Sequence, residues 1–199
     1  MIAVVINRKS GRGLAKRLIS KVNTVAHLDE TISVIDENSA EKSSAKLSNL
    51  ILQSQSLPQF DSLKVVAIGG DGLVNLCIQE TQKSDSVSAA LAVYPAGTGN
   101  DFANTNNQQR IEITRLLKKS SDFEVIDLGV VSKADSEFKR YFGQVLSTGF
   151  DALVNERANS FRIVKGKIKY TIATLMELFK FKPISYRSEE HTSELQSRG

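Results

Sequence analysis

The sequence predicts an α/β protein: a mainly parallel sheet with helices on both faces, followed by the start of an antiparallel β-sandwich layer. Two observations lead to this fold class. Apolar, strand-like segments alternate with amphipathic helical segments up to about residue 106. Beyond residue 123, two strand-like segments follow one another without a long helix between them. The alternating part implies right-handed crossovers between parallel strands, with helices covering the sheet.

Four strands are predicted in the alternating part, because each is a short apolar or alternating run. They cover residues 1–7, 30–36, 62–70 and 89–99. The fourth strand ends in proline and glycine, which indicates a loop at that point.

Helices are predicted between these strands. Residues 13–28 place apolar side chains at helical spacing, namely Leu14, Leu18, Val22 and Val25. Two more helices cover residues 40–53 and 72–82, and Asn38 and Ser39 are candidate N-caps of the first of these.

The pattern changes after Asn106. A short helix is predicted over residues 110–120, and strands over 123–131 and 139–150. Residues 151–180 are helical again, with an interruption expected at Gly166. The apolar positions of this last stretch are Ala152, Ile163, Ile168, Ile172, Leu175 and Leu178. We therefore predict one domain over residues 1–122, an incomplete second domain over 123–186, and a separate tail over 187–199.

The tail is polar and aperiodic, and it follows abruptly on the preceding segment. Arg187 to Ser197, RSEEHTSELQS, is similar residue for residue to the translation of a common sequencing adapter. We therefore expect the genuine protein sequence to end near Tyr186. The alternative is a disordered polar tail.

Composition indicates an ordinary globular protein, with 41% hydrophobic residues, 24% charged residues and a net charge of +4. Its basic residues are mostly scattered, so no nucleic-acid partner is expected. The single cysteine, Cys77, lies in an apolar run and is expected in the core rather than as a nucleophile. His27 and His191 are far apart, which leaves a His/Cys metal site without support.

Membrane and targeting signals are not apparent. No apolar run approaches the roughly 20 residues of a membrane-spanning helix, and the start lacks the layout of a signal peptide. We therefore expect a cytoplasmic protein that touches a membrane, if at all, from outside. The sequence leaves a homodimer open.

A glycine-rich loop, Gly69-Gly70-Asp71-Gly72, joins the third strand to the next helix. Glycines at a helix N-terminus expose backbone N–H groups to an anion such as phosphate. Asp71 is itself an anion, which fits a divalent cation bridging the carboxylate and a phosphate. The alternative is a tight turn in which Asp71 caps its own helix.

Two further loops favour the nucleotide interpretation. YPAGTGNDF, Tyr94 to Phe102, follows the fourth strand, and NRKSGRG, Asn7 to Gly13, follows the first. In an open parallel sheet, loops at the carboxyl ends of neighbouring strands converge on one crevice. The sequence lacks both G-x-G-x-x-G after the first strand and G-x-x-x-x-G-K-[ST], so a Rossmann dehydrogenase or a P-loop enzyme is disfavoured.

These loops, together with STGFDALVNERAN at residues 147–159, resemble the diacylglycerol kinase catalytic domain family, especially the bacterial YegS-like and DgkB-like lipid kinases. The resemblance runs from residue 1 to about 180. It implies a nucleotide-binding α/β domain like that of NAD kinases and phosphofructokinases, and a β-sandwich domain for the lipid. It also implies Mg²⁺-dependent transfer of the ATP γ-phosphate to a lipid hydroxyl, with diacylglycerol as the expected acceptor.

The resemblance also implies roles for individual residues. Asn7, Ser10 and Gly11 would belong to the first phosphate loop. The nucleotide loop would be formed by Gly69, Gly70, Asp71, Gly72 and Asn75, with Asp71 near Mg²⁺. Thr98 would contact the nucleotide, and Asn100 and Asp101 would order the neighbouring network.

The sequence departs from the family pattern at several positions. Leu73 replaces a usual Thr, Arg8 replaces the usual Pro after Asn7, and Asp36 stands where a nucleotide-contacting Thr often ends the second strand. The family's general base lies in an Asp-Gly-Glu motif, which is absent from the 199 residues. We therefore assign no catalytic base among these residues and expect it in a missing C-terminal part. We also expect the 199-residue chain to be inactive.

Three alternatives remain open. In the first alternative the chain is an NAD kinase-like enzyme, and the segment PAGTGNDFA argues against it. In the second it is a non-catalytic nucleotide-binding module. The third alternative concerns the basic and aromatic residues within 151–180. In one interpretation they contact anionic lipid headgroups. In the other, which we favour, they are solvated on a helix that packs against the sandwich. The residues concerned are Phe161, Arg162, Lys165, Lys167 and Lys169.

Overall fold

The structure is a computed structural model. It describes residues 1–55, 63–83, 89–108, 111–118, 123–133, 135–147, 149–161, 168–180 and 182, without the side chains of Arg12 and Gln55. The chain divides into two compact units, Met1–Val145 and Leu146–Gly199.

The first unit contains a four-stranded, fully parallel sheet. Its strands are β1 (Ile2–Ile6), β2 (Ile32–Ile35), β3 (Leu63–Gly69) and β4 (Ala89–Pro95), in the spatial order β2-β1-β3-β4. The register pairs Ile6 with Ile68 and Gly69 with Pro95, so β1, β3 and β4 end at the same edge. The four predicted strands and their parallel arrangement are confirmed, but the fourth strand ends at Pro95 and not at residue 99.

Alternate residues of these strands face two separate cores, as expected for a sheet buried on both faces. On one face, Val5, Val65 and Ala67 pack with residues of the second and third long helices. On the other, Val4, Ile68 and their neighbours pack with the first long helix. The predicted coverage of both faces by helices is confirmed.

The helices of this unit are α1 (Leu14–Leu28), α2 (Ala40–Gln55), α3 (Asp71–Thr81), α4 (Asp101–Thr105) and α5 (Ile113–Leu116). Val22 of α1 is fully buried, and Leu14, Leu18 and Val25 pack around the same core, as their spacing predicted. Ser39 caps α2, because its hydroxyl accepts a hydrogen bond from the Lys42 N–H at 3.2 Å. The backbone N–H of Glu41, with a smaller contribution from the Ser39 hydroxyl, lowers the pKa of the Glu41 carboxyl.

Several predictions need correction beyond β4. Of the helix expected over residues 110–120, only the single turn α5 is helical among the described residues 111–118, and α4 was not predicted as a helix. The expected strands over 123–131 and 139–150 are shorter: β5 is Gly129–Ser132 and β6 is Lys139–Phe142. They pair antiparallel, which confirms the start of an antiparallel layer. Residues 123–128 have no partner strand in the described part of the chain, and Val125 is 95% exposed.

The second unit contains the helices α6 (Phe150–Ser160) and α7 (Ile168–Leu178). They share a small core of Val154, Ala158 and Ala173, and the guanidinium of Arg157 donates to the carboxylate of Glu177. The predicted break at Gly166 falls within residues 162–167, outside the described residues, as do Ile163, Arg162, Lys165, Lys167 and the tail from 187. Ile168, Leu175 and Leu178, predicted as apolar positions of a packed helix, are more than half exposed. No helix in the described residues is both long and apolar enough to cross a membrane.

Candidate active site

Three loops meet at the carboxyl ends of β1, β3 and β4, because backbone pairing continues one residue past the strands. The Asn7 N–H donates to the Ile68 carbonyl at 3.1 Å, and the Ala96 N–H donates to the Gly69 carbonyl at 2.8 Å. We name these the first loop (residues 7–13), the second loop (69–72) and the third loop (96–101). The predicted convergence of the three loops is therefore present in the fold.

The second and third loops touch through bare backbone. A Cβ atom added to Gly97 would lie 2.4 Å from the Cα of Gly70, a distance that no side chain tolerates. The first loop approaches as closely. Gly11 has φ of +64°, and an added Cβ would lie 2.5 Å from the Ala96 carbonyl oxygen. Glycine is therefore required at these points for the approach of the loops and, at Gly11, for its backbone conformation.

Asp71 joins the second loop to the third. Its Oδ2 accepts the N–H of Asn100 at 2.9 Å and its Oδ1 accepts the N–H of Phe102 at 3.1 Å. These N–H groups belong to the start of α4, where backbone donors have no intrahelical partner. The tight-turn alternative is thus wrong in one respect: the N-cap of α3 is Gly70, without a side-chain cap, and Asp71 caps the other helix.

Asn100 closes the third loop on itself. It has φ of 61° and ψ of 38°, a left-handed conformation that asparagine tolerates better than most residues. Its Oδ1 accepts the Gly97 N–H at 2.6 Å, and its Nδ2 donates to the Gly97 carbonyl at 3.1 Å. The side-chain amide therefore replaces a backbone partner for Gly97 and fixes the shape of the loop.

A second carboxylate lies close to Asp71. An added Cβ at Gly99 would lie 3.1 Å from Oδ2 of Asp71 and 3.2 Å from Oδ2 of Asp101. Both carboxylates thus border the same small space beside Gly99. Asp101 is exposed, as is Thr98 in the same loop.

The first loop is basic, and its residues 7–9 are exposed. The Asn7 carbonyl accepts the Ser10 N–H at 3.0 Å, and the Asn7 Oδ1 accepts the Lys9 N–H at 3.1 Å, so the Asn7 side chain helps to form the turn. Ser10 begins a short 3-10 helix, Ser10–Gly13, that leads directly into α1. Neither helix has an acidic residue in its first turn, which leaves the N-termini of these two helices favourable to anions.

The two departures noted at the ends of the first two strands contact each other. The Arg8 guanidinium donates to the Asp36 carboxylate through Nε, at 2.6 Å, and through Nη2. The hydrogen bond and the charge of Asp36 raise the pKa of Arg8. Sequence reasoning treated these residues separately and missed the pair. The available signal was that opposite charges follow two strands that become neighbours.

Gln79 was also missed. Its buried side chain donates to Asn75 Oδ1 at 2.8 Å and to the Tyr141 carbonyl at 2.7 Å, and its Oε1 accepts the Tyr141 N–H at 3.0 Å. Asn75 lies on the first turns of α3, four residues after Asp71 and therefore on the same side of the helix. No sequence motif points to a glutamine in this position.

Cys77 is fully buried in the core beside the sheet, as predicted. Burial, with a smaller contribution from the charge of Glu80, raises the pKa of its thiol to about 12. A thiol with this pKa is protonated at neutral pH and is a poor nucleophile.

The donor set was tested for Mg²⁺. Within the described residues, no group of three His, Cys, Asp or Glu side chains is arranged to hold a metal ion. Mg²⁺ is commonly held by one or two carboxylates, water and substrate phosphates, and each carboxylate oxygen of Asp71 has used one acceptor position. Asp71, with Asp101 nearby, therefore fits a metal that is shared with a phosphate ligand.

Glycine-rich loops, carboxylates and basic residues at one edge of a parallel sheet are typical of α/β proteins that bind phosphate-bearing ligands. The Diacylglycerol kinase catalytic domain family matches residues 1–133, and the YegS C-terminal NAD kinase beta sandwich-like domain matches residues 144–198. The chain belongs to the diacylglycerol kinase catalytic domain family.

Individual relatives agree with this assignment. A diacylglycerol kinase from Mycobacterium tuberculosis is 38% identical over 129 residues, which cover 62% of this chain and 39% of the relative. The putative lipid kinase YtlR from Bacillus subtilis is 28% identical over 115 residues, 56% of this chain and 37% of the relative. The chain thus spans about two fifths of the length of these relatives.

Among solved structures, a putative diacylglycerol kinase from Bacillus anthracis is similar, with a TM-score of 0.39 and 23% identity. This likeness covers 52% of this chain and 35% of that one.

Proposed function

We propose that these residues form the phosphate-donor part of a lipid kinase that transfers the γ-phosphate of ATP to a lipid hydroxyl. The observation that carries the proposal is that a match to the family over residues 1–133 coincides with the meeting of all three loops. Diacylglycerol is the proposed acceptor and phosphatidic acid the product, in keeping with the names of the relatives. The proposed division is a nucleotide domain over 1–122 and a lipid domain from 123.

The proposed roles follow from the donors and acceptors at each loop. Gly11, Gly70 and Gly72 expose backbone N–H groups to phosphate oxygens, and Ser10 and Thr98 add hydroxyl donors. Asn7 and Asn100 hold their loops in shape through bonds to Lys9 and Gly97. Gly69 allows the turn into α3, since an added Cβ would meet the Leu73 side chain at 2.7 Å.

Asp71 and Asp101 are the proposed acidic residues of the site. Mg²⁺, when bound, would neutralise charge on the phosphates as the transferred group separates from its leaving oxygen. Asp71 would hold the metal with the acceptor positions left over from its bonds to Asn100 and Phe102. Asp101 would order water around it.

The proton acceptor for the lipid hydroxyl is not assigned to these residues. The sequence has no Asp-Gly-Glu triplet. Among the described residues, the carboxylates beside the loops are Asp36, which pairs with Arg8, and Asp71 and Asp101, which are the proposed acidic residues of the metal site. The 199-residue chain is therefore proposed to bind Mg²⁺-ATP without transferring its phosphate. We further propose contact with a membrane surface, where the lipid acceptor resides.

Two measurements test this function. Isothermal titration of the 199-residue chain with Mg²⁺-ATP is expected to show one site, weakened at least tenfold in Asp71→Ala. A form with the length of the relatives is expected to phosphorylate diacylglycerol in mixed micelles only when Mg²⁺ and ATP are present. Phosphorylation of NAD⁺ but not of the lipid would instead favour the NAD kinase-like alternative. ATP binding without any transfer by the longer form would favour a non-catalytic module.

A further inference from the structure

We infer that Gln79 is a positioning residue that fixes the orientation of the Asn75 side-chain amide, so that Asn75 offers N–H donors to the phosphate groups of the nucleotide. This inference rests on the proposed function and adds a determinant of affinity to the same site. It depends on a chain of hydrogen bonds that runs from the backbone of β6 to α3.

The first step is the orientation of Gln79. The backbone of Tyr141 has one obligatory donor and one obligatory acceptor. Its N–H lies 3.0 Å from Oε1 of Gln79 and its carbonyl lies 2.7 Å from Nε2. Reversing the amide would place two donors against each other and two acceptors against each other. The Gln79 amide therefore has a single orientation. Only 8% of the residue is exposed, so water does not compete for these hydrogen bonds.

The second step transfers this orientation to Asn75. The Nε2 group of Gln79 has two hydrogens, of which one goes to the Tyr141 carbonyl and the other to Oδ1 of Asn75 at 2.8 Å. A reversed Asn75 would turn its own NH₂ group toward the NH₂ group of Gln79. Asn75 must therefore direct its oxygen to Gln79, which makes the NH₂ group the part it offers to a ligand.

The position of Asn75 bears on the ligand. Asn75 is exposed and lies one helical turn after Asp71, the first residue of α3. An NH₂ group is a donor and therefore matches phosphate oxygens, whereas an amide oxygen in the same place would repel them. The backbone of β6 thus decides, through Gln79, whether Asn75 attracts or repels an anionic ligand.

Substitutions of Gln79 separate this role from simple packing. In Gln79→Glu the carboxylate still accepts the Tyr141 N–H, but its other oxygen faces the Tyr141 carbonyl without a hydrogen and has no donor for Asn75, so Asn75 turns its NH₂ group toward the glutamate. Its oxygen then faces the phosphates, and we expect the Kd for Mg²⁺-ATP to rise at least tenfold. In Gln79→Leu neither orientation is favoured, and a half-populated competent state raises the Kd about twofold.

The decisive measurement is the effect of Asn75→Ala in each background, by isothermal titration of the 199-residue chain with Mg²⁺-ATP. In the wild-type background the alanine should weaken binding. In the Gln79→Glu background it should tighten binding, because it removes a misdirected oxygen. A role of Gln79 in stability alone would not reverse this sign. Gln144→Ala, which removes the bond to Thr105 at 2.8 Å and leaves Asn75 intact, is the control and should keep the wild-type Kd.

Several results would overturn the inference. If the wild type binds Mg²⁺-ATP and Asn75→Ala weakens binding equally in both backgrounds, the orientation argument is wrong while the proposed function stands. If the wild type does not bind Mg²⁺-ATP, both fall together. Should Gln79→Glu fail to fold, Gln79→Leu decides: the effect of Asn75→Ala must then be smaller than in the wild type, and an undiminished effect refutes the inference.

Discussion

Replacing Asp71 with alanine removes the carboxylate that joins the second loop to the start of α4. Two backbone donors, the N–H groups of Asn100 and Phe102, lose their acceptor at 2.9 and 3.1 Å. A hydrogen bond to an ionised group contributes about 1.5–3 kcal/mol. Asp71 is half-buried, so the lower value applies to each bond, and the free energy of unfolding should fall by about 3 kcal/mol. That is a large part of the 5–15 kcal/mol typical of a domain.

The assay is urea denaturation of the 199-residue chain, followed by circular dichroism. Asp101→Ala is the matched control, since it also removes one carboxylate, from an exposed position at the start of α4, the helix that Asp71 caps. Its loss should be about 0.3–1 kcal/mol, the interaction of one carboxylate with a helix N-terminus. Titration with Mg²⁺-ATP on both variants separates the loss of loop structure from the loss of a metal ligand.

The results that would refute this reasoning are specific. If Asp71→Ala costs less than about 1 kcal/mol, or no more than Asp101→Ala, the two backbone bonds do not hold the loops together. An unfolding free energy above that of the wild type would mean that Asp71 is strained in the absence of a cation. A decrease in affinity for Mg²⁺-ATP of less than about tenfold, or 1.4 kcal/mol, would be too small for a residue shared between metal and phosphate.

Three other predictions follow from individual contacts. Gly97→Ala should lower the free energy of unfolding by about 1–3 kcal/mol in thermal or urea unfolding. Gly72→Ala is the control: nothing lies within 4 Å of its added Cβ, so the change should be less than about 1 kcal/mol. Equal effects of the two variants would contradict the close approach of the loops. Reversing the charge of Arg8 or of Asp36 alone should lower the urea midpoint of unfolding, and exchanging the two residues should restore it. About 1 M salt should remove the difference between the single variants and the wild type. An exchange that does not restore the midpoint argues against the ion pair. The Cys77 thiol, with its pKa raised to about 12, should resist a thiol reagent at pH 8 until the protein unfolds; fast labelling of the native protein would show that the core is open there.

Much of the fold follows from local patterns in the sequence. The strands are apolar runs, and the apolar spacing of α1 identifies the face that is buried at Val22. Such patterns depend only on the period of each element, which neighbouring residues define. The short elements α4, β5 and β6 were missed or predicted too long, since four or five residues carry too little periodicity to set their ends.

The candidate site divides in the same way. The three glycine loops and their place at strand ends could be predicted from the sequence, because glycine, proline and asparagine act on the backbone where they stand. Their assignment to a nucleotide stays a proposal. The contacts of Asp71 with Asn100, of Arg8 with Asp36 and of Gln79 with Tyr141 depend on the tertiary structure. They join residues that are 29, 28 and 62 positions apart in the chain. The physical reason is that a hydrogen bond requires a donor and an acceptor about 3 Å apart, and the packing of the sheet and helices sets such distances between remote residues.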